Sequence, residues 1–569
     1  MIRDLEKLTS THFDIVIVGG GIYGACAAWD AALRGLSVAL IERGDFGHAT
    51  SAQTLRVVHG GLRYLQHADL KRIRESDHER KALLRLAPHL VRLLPVLLPT
   101  FRSGIQHRLI MRAALAAHDM LSLDRNRGIR DPGRKIPPGQ ILSRDECLRL
   151  APGLASDNVT GAAIFYDAQM HNNERLTLAF VQSAADHGAC VANYVQAQGL
   201  LHQNGRVDRL KAIDVSTGDK LEIQAKVVLN TAGPWVFHAL REIRNNGVAN
   251  AIHFAKTMNV VVRPPLTKEH AVALSVPRGR AREGRARLLY ITPWHGHAMI
   301  GSAHFNFDEH PDQCKVDSNE IAAFLEDVRA AYPGVPVTDE DVTFVRFGLV
   351  PKAVRAREPT DTARHNLILD HAQTGLSNVI SVIGVKYTTA RYVAEKAVDL
   401  ATRRLGQNVR PSRSASTALR GGDMESFDNL VKEMVSTHPG DLAVPVLRQL
   451  ADSYGSDYRQ VLRHVAAQPR LGKRIGSAAS TVIQAQVVHA VEEEMALTLS
   501  DVVFRRTPLA TTGHPGHDSL RVCAQLMAEK LGWANGRIDR EIAATEQMLA
   551  RNHARPPHDA ATDEKQARP

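Results

Sequence analysis

The chain has 569 residues, 44% of them apolar, 23% charged and 5% aromatic. That is the ordinary make-up of a soluble globular protein long enough for two or more domains. Lys and Arg number 71 against 60 Asp and Glu, a formal net charge of +11, which suits either an anionic partner (a phosphorylated substrate, acidic lipid or nucleic acid) or simply a well-solvated surface. The five cysteines are far apart with no CxxC, so neither a zinc site nor a disulfide framework is indicated, and no run of about eighteen apolar residues occurs, so no membrane span is expected.

In chain order, Phe13 to Val18 (FDIVIV) reads as a buried parallel strand. Gly19-Gly20-Gly21-Ile22-Tyr23-Gly24 follows and opens a helix of small residues that Gly35 stops, with Cys26 buried inside it. Ser37 to Ile41 is a second strand ending on Glu42. This is a complete βαβ unit with Gly19-x-Gly21-x-x-Gly24 and an acid about eighteen residues on, a strong dinucleotide signature where a lone glycine loop is weak. Gly19 permits the tight turn, Gly21 lets the backbone approach a pyrophosphate, and Gly24 allows close helix packing. The helix N-terminus offers unpaired N–H groups and its positive dipole end to the phosphates, and Glu42 can accept from adenosine ribose hydroxyls. No second such unit appears, so a nicotinamide site beside the first is not supported.

Residues 101–121, FRSGIQHRLIMRAALAAHDML, read as a helix with Ile105, Leu109, Ala113, Ala116 and Met120 on one side and Arg108 and Arg112 beside them. Such a helix either lies on an anionic lipid surface or packs its apolar side into the core. Stretches near 155–225 and 250–350, YITPWHGHAMIGSA among them, alternate short strands and turns as an inserted antiparallel substrate-binding sheet does. Two later strands end in small-residue corners: Val227 to Asn230 before Thr231-Ala232-Gly233-Pro234-Trp235, and Asn378 to Ile383 before Gly384-Val385-Lys386-Tyr387-Thr388-Thr389. Thr388 or Thr389 suits the N-cap of the helix that follows. A corner of this kind can bring a helix N-terminus to a flavin ring and stabilise its reduced, negatively charged form, which points to FAD.

The polar run 407–423 reads as a linker. Beyond it the pattern is helical: Gly455 stops one helix, Ser456 or Asp457 caps the next, and Tyr458, Val461, Leu462 and Val465 share a face, while Ile483, Val487 and Val491 form another core stripe. The expected fold is α/β, a Rossmann-like FAD-binding domain with an inserted mixed or antiparallel substrate-binding sheet, plus a C-terminal all-helical domain. Its expected divisions are 1–406 for the oxidoreductase region, 407–423 for the linker, 424–551 for the helical domain and 552–569 for a disordered tail. Within the first, the nucleotide-binding parts are about 12–100, 200–240 and 360–406, and the substrate sheet about 155–200 and 250–350.

HGGLRYL, LAPHLV, NTAGPWV, GVKYTTAR and EEEMALTLSDVVFRRT occur in this order after the βαβ unit. Together they resemble the FAD-dependent glycerol-3-phosphate dehydrogenase family over nearly the whole chain, the helical domain included. The resemblance implies FAD as cofactor and the oxidation of sn-glycerol 3-phosphate to dihydroxyacetone phosphate, with electrons passed to a membrane quinone or, in some members, oxygen. It implies that His59, Gly60, Gly61, Arg63 and Tyr64 bring an arginine and a tyrosine over the flavin, and that Thr50 and Ser51 begin a loop that bonds FAD. It further implies that Ala232 and Gly233 together with Gly384, Lys386 and Thr388 form the later arms of the cofactor site. Lys386 would hold the substrate oxygen or stabilise anionic flavin, and Arg63 is a fork of donors suited to phosphate or carboxylate.

Several positions depart from the family pattern. Its G-x-R-P reads Gly348-Leu349-Val350-Pro351, so Val350 stands for a substrate-binding arginine; losing such a contact costs about 2–5 kcal/mol if the anion stays buried. Arg346, Arg355, Arg357 and Arg364 are the candidates to compensate, Arg364 lying near a second family arginine position. K-G-x-H reads Lys256-Thr257-Met258-Asn259, a Thr-Asp pair reads Ala303-His304, and the serine-rich loop reads Ser51-Ala52-Gln53-Thr54-Leu55-Arg56.

The changes cluster on the presumed substrate side. Glycerol 3-phosphate oxidation is therefore the leading expectation, a related flavoenzyme for another alcohol or amine the second, and a flavin-binding protein without catalysis the third. His59 and His304 are the general-base candidates, since imidazole titrates near neutrality, and Arg63, Lys386 and Arg364 are the candidates to hold an anionic group. No metal is expected, and few aromatics with no basic–aromatic interleaving argue against nucleic acid. The expected partners are a small anionic alcohol, a quinone or other electron acceptor, an anionic membrane surface and a second copy of the chain. The opening MIRDLEKLTST has no apolar signal core, which predicts a cytoplasmic chain, peripheral on the inner face of the cell membrane.

Overall fold

The computed structural model describes residues 1–155, 157–240, 252–276, 288–352, 363, 365–438, 442–477 and 480–555. The apolar run at the start forms the strand His12–Val18, paired in parallel with Val38–Ile41 on one side and Lys220–Asn230 on the other. The first sheet continues through Val379–Ile383 and Leu367–Asp370 at one edge and Cys190–Ala192 at the other, with the antiparallel pair Val195–Gln203 and Arg206–Asp214 laid on Lys220–Asn230. The helix Ile22–Leu33 is buried almost all round, which its alanines permit, since small side chains let neighbouring helices approach closely. It packs between the helices Asn173–Asp186 and Ala390–Leu405.

The second sheet runs in the order Val342–Pro351, Phe254–Val262, His297–Phe307, Leu288–Trp294, Ala271–Ser275, Val91–Phe101, Val159–Met170 and Val57–Val58. YITPWHGHAMIGSA is its central hairpin, Tyr290 opposite Gly301 and Trp294 opposite His297. His295 and Gly296 adopt positive φ at the tip, as a two-residue hairpin turn requires.

Sheet membership redistributes two segments. Val91–Phe101, expected in the nucleotide-binding part, belongs to the second sheet, because it pairs along its length with Val159–Met170. Residues 173–203, mostly expected in the substrate sheet, instead build the first layer, where Cys190–Ala192 extends the parallel sheet beside Val38–Ile41.

The helices from Phe427–Thr437 to Asn535–Arg551 enclose a core of their own that includes Tyr458, Val461 and Val487. The run 407–423 is a packed strap rather than a loose linker: Ser412 donates to Asp30, Arg391 Nη1 donates to Ser414 Oγ at 3.0 Å, and Leu419 N donates to Leu86 O at 3.0 Å. The start of the expected disordered tail is held too. Val345 N donates to Asn552 O at 2.7 Å and Arg555 N to Thr343 O at 3.0 Å, covering an edge strand that would otherwise present unpaired groups. Residues 556–569 lie outside the described residues.

The amphipathic segment is shorter than expected. The helix is Arg108–Leu121, and Phe101 ends the preceding strand. Its core face is Met111 and Leu115, packed in the cluster of Leu94, Val96 and Phe165, while the stripe of Ile105, Leu109, Ala113, Ala116 and Met120 is exposed.

Candidate functional site

The glycine loop is shaped by its neighbours. A Cβ on Gly24 would fall 1.9 Å from Gly19 O, so only glycine lets the helix seat against the loop, and Gly19 itself abuts Ala232 of the Thr231-Ala232-Gly233 corner. Gly21 caps the helix Ile22–Leu33. The Thr50-Ser51 loop folds over that N-terminus, with Ile22 N donating to Ser51 Oγ at 2.9 Å. Glu42 is buried and ties two turns together, accepting from Gly20 N at 2.7 Å and Gly44 N at 2.9 Å. A helix N-terminus lined by backbone donors, a hydroxyl and an acid after the second strand fits a dinucleotide. The side-chain-free path at Gly21, where a Cβ would come within 3.2 Å of Ser51 Oγ, is the space such a ligand's phosphates need.

The HGGLRY turn leaves Val57–Val58 and lies against the later corner. His59 N donates to Thr388 Oγ1 at 3.3 Å, so Thr388 serves the turn, while Thr389 occupies the helix N-cap position. His59 Nδ1 is 2.9 Å from Asp167 Oδ2, Asp167 Oδ1 accepts from Gly60 N at 2.7 Å, and the His59 ring meets Tyr290 edge-on at 5.4 Å. The two glycines answer to the protein's own packing as well as to any ring above them: a Cβ on Gly60 would fall 2.2 Å from Arg80 Nη1, and Gly61 takes φ 92 against Ile73.

Lys386 Nζ stands over the Tyr64 ring, with Arg72 on the same ring at 5.4 Å. Burial and then the charge of Arg63 lower the Lys386 ammonium to about 8. Tyr23, from the glycine-loop helix, fixes this corner: Lys386 N donates to its hydroxyl at 3.1 Å, and its ring fills the space a Cβ on Gly384 would need. Three motifs distant in sequence thus form one wall carrying His59, Arg63, Tyr64 and Lys386.

The second sheet contributes further groups. Thr50 Oγ1 donates to Leu349 O at 3.3 Å. Strand register puts His304, Thr257 and Gly348 in one row beneath it, with Val350 half-buried further along the same strand. Asn259 bonds Gln53 O at 3.2 Å and Ser302 Oγ at 2.7 Å, and Lys256 is engaged by Glu320 at 2.6 Å.

Arg346 cannot stand in for the missing arginine. It is 4% exposed and committed to Glu174 at 3.3 Å and to the carbonyls of Ala52 and Thr511 at 3.2 and 3.1 Å. Arg355, Arg357 and Arg364 lie outside the described residues. Sequence reading missed Asp167 and Tyr290; an acid inside the otherwise apolar strand GAAIFYDAQM was the available signal.

A cleft of about 840 Å3 behind the nucleotide fold is lined by Trp29, Arg85 and Arg420 among others, and Arg420 is already bonded to Asp457 and Asp186 at 3.0 and 3.3 Å. No group of three His, Cys, Asp or Glu side chains is arranged for a metal ion among the described residues.

The family described as FAD dependent oxidoreductase matches residues 14–400, and that described as the C-terminal domain of alpha-glycerophosphate oxidase matches residues 412–538. A glycerol-3-phosphate dehydrogenase of Synechocystis sp. is 30% identical over 561 residues, covering 97% of this chain and 99% of that protein. Glycerol-3-phosphate dehydrogenase 2 of Mycobacterium bovis is 32% identical over 550 residues, 95% and 88% of the two chains. Among solved structures, the glycerol-3-phosphate dehydrogenase from Bacillus halodurans complexed with FAD shares the fold with a TM-score of 0.75 over 98% of each chain, at 23% identity.

Proposed function

Because the chain belongs to the FAD-dependent glycerol-3-phosphate dehydrogenase family and is a flavoenzyme of the oxidoreductase class, we propose that it oxidises sn-glycerol 3-phosphate to dihydroxyacetone phosphate and passes the electrons to a quinone-type acceptor. The observation that carries this reading is the wall in which Lys386 Nζ lies 4.4 Å from the Tyr64 ring centre beside Arg63 and His59.

In the proposed assignment Gly19, Gly21, Gly24, Glu42, Thr50 and Ser51 hold FAD, with Ala232, Gly233, Gly384 and Thr388 as the later arms. FAD supplies the acceptor for the hydride leaving the carbinol carbon. The chain does the rest. Arg63 and Lys386 hold the anionic group and orient the alcohol, and the ring face of Tyr64 holds the Lys386 ammonium in place. His59, in the same wall, takes the hydroxyl proton at a ring nitrogen, with His304 on the strand His297–Phe307 the second candidate. Arg364 remains the third proposed cation.

One observation favours a second reading. Val350 offers no charge where the family has arginine, and Arg346 is already committed, so the site would suit a related alcohol or amine without a phosphate. Anaerobic titration of the purified protein with glycerol 3-phosphate decides between them: bleaching of the visible flavin band is expected. An unbleached spectrum with this substrate but bleaching with another alcohol or amine selects the second reading, and no bleaching with any of them leaves flavin binding without catalysis.

The acceptor argument extends to location. We infer a peripheral seat on the inner face of the membrane, supported by the exposure of Ile105 (65%), Leu109 (67%) and Met120 (75%) beside Arg108 and Arg112. No helix among the described residues is long and apolar enough to cross a membrane. The other use of this stripe is contact with a second copy of the chain.

A further inference from the structure

Asp167 sits on Val159–Met170 and its side chain is 1% exposed, whereas the ring it contacts, His59, is 41% exposed. A buried carboxylate persists only where hydrogen-bond donors serve both of its oxygens. Here both donors come from one short turn: Gly60 N–H on Oδ1 at 2.7 Å and His59 Nδ1 on Oδ2 at 2.9 Å. Burial pushes the Asp167 carboxyl up, but the His59 hydrogen bond, the Gly60 N–H and Arg80 together hold it below its usual range, so it is ionised at neutral pH and can only accept. His59 Nδ1 must then carry the hydrogen.

We propose that Asp167 is a positioning residue for proton transfer, fixing the His59 tautomer so that Nε2 presents the lone pair that takes the substrate hydroxyl proton. This rests on the glycerol 3-phosphate reading and deepens it. The step balances. The hydroxyl proton goes to Nε2, the hydride leaves carbon for FAD, the imidazolium so formed stays paired with the Asp167 carboxylate, and its proton returns to solvent through the exposed side of the ring.

The groups packed about the pair do not compete for these roles. Tyr290, from Leu288–Trp294, meets the ring edge-on, and burial together with the Asp167 charge keeps its phenol protonated. Arg80, from Leu70–Leu86, is bonded to Asp77 and Tyr166 O. His118, from Arg108–Leu121, lies 3.2 Å from Gly60 O. Arg63 and Lys386 are the cations on the open side.

Asp167→Asn separates positioning from packing. Gly60 N–H requires the amide oxygen, so the amide NH2 faces His59 Nδ1, which must become the acceptor, and the hydrogen moves to Nε2, the wrong tautomer. In anaerobic stopped-flow with glycerol 3-phosphate, flavin reduction by the variant is expected to slow by about 10²–10⁴-fold. FAD content should be unchanged and substrate Kd should move by less than about threefold. In a His59→Ala background the same change should have no further effect. A variant rate within about threefold of wild type, or an equal loss in the His59→Ala background, overturns the proposal.

The second measurement needs neither turnover nor the variant. In 15N-histidine-labelled holoprotein, with His59 identified by its disappearance in His59→Ala, Nδ1–H is expected, and Nε2–H overturns the proposal whatever the substrate. Wild-type flavin that glycerol 3-phosphate leaves unreduced would instead sink the functional reading, with the tautomer still deciding the role of Asp167.

Discussion

Lys386 Nζ stands 4.4 Å from the centre of the Tyr64 ring, joining the late strand–helix corner to the HGGLRY turn. Burial and then Arg63 bring this ammonium down to about 8. The group is charged at neutral pH and loses its proton as pH rises through that value. The expected outcome is a KM for glycerol 3-phosphate that climbs above about pH 8, with Lys386→Arg abolishing the climb because guanidinium stays charged. Lys386→Met should raise KM at neutral pH by about 10–100-fold, the value of one charge-assisted hydrogen bond. Initial rates across the alkaline range test this, and a KM flat across that range would remove Lys386 from anion binding.

Val350 allows the converse experiment. It sits two residues beyond Gly348, where a Cβ would come within 3.3 Å of Thr50, on a strand where Arg346 is already engaged. Val350→Arg is expected to lower the KM for glycerol 3-phosphate by about 10–100-fold if the phosphate lies along this strand. An unchanged KM assigns the phosphate to Arg63 and Lys386 instead.

These positions also show what the sequence made legible. The glycine cradle and its two strands could be read because every requirement is local: an apolar run, a turn, small residues on a helix, an acid at the second strand's end. The motifs HGGLRY and GVKYTT were visible as separate pieces. Their joining through His59 N and Thr388, 329 residues apart in the chain, was visible only by resemblance. Asp167 escaped because one acid in a strand has no periodic partner, and its meaning lies in a histidine 108 residues away. The strap at 407–423 looked like a linker because its order comes from ion pairs and backbone bonds to distant helices rather than from apolar periodicity. The helix Arg108–Leu121 has apolar residues on two faces, and sequence alone cannot say which one meets the core.

Asp45 shows how far such distant pairing reaches. Its carboxylate is buried, accepting from Arg505 Nε at 2.5 Å and from Arg506 Nη1 and Nη2 at 2.7 Å, and it lies between Glu42 and Gly47 in the cofactor loop. Burial raises this carboxyl, yet Arg506 and then Arg505 outweigh it and hold it far below the usual range. A depressed carboxyl contributes stability that is present above its unfolded value of about 4 and is lost as pH falls toward the folded one. Asp45→Asn leaves two buried guanidinium groups short of charge and should cost about 3–5 kcal/mol, read as a lower unfolding midpoint and faster FAD release at neutral pH. Wild type should lose the same increment only in acid, so the two melting curves should converge as pH drops below about 4. Curves that stay parallel as pH drops would show that the loss does not come from the carboxylate's charge.

The exposed stripe makes a prediction about place. Ile105 and Leu109 stand largely in solvent beside Arg108 and Arg112, and burying each apolar side chain in lipid is worth about 1.5–3 kcal/mol. Wild type should co-sediment with vesicles containing phosphatidylglycerol and less well with neutral ones, because the arginines add attraction to anionic headgroups. Changing Ile105 and Leu109 together to Glu removes the insertion and sets acids against the lipid, so vesicle binding should fall by at least about 100-fold. Flavin reduction by glycerol 3-phosphate should not change, since the stripe faces away from the core face that meets the second sheet. If the stripe instead joins two copies of the chain, the wild type will sediment as a dimer without vesicles, and the double variant as a monomer.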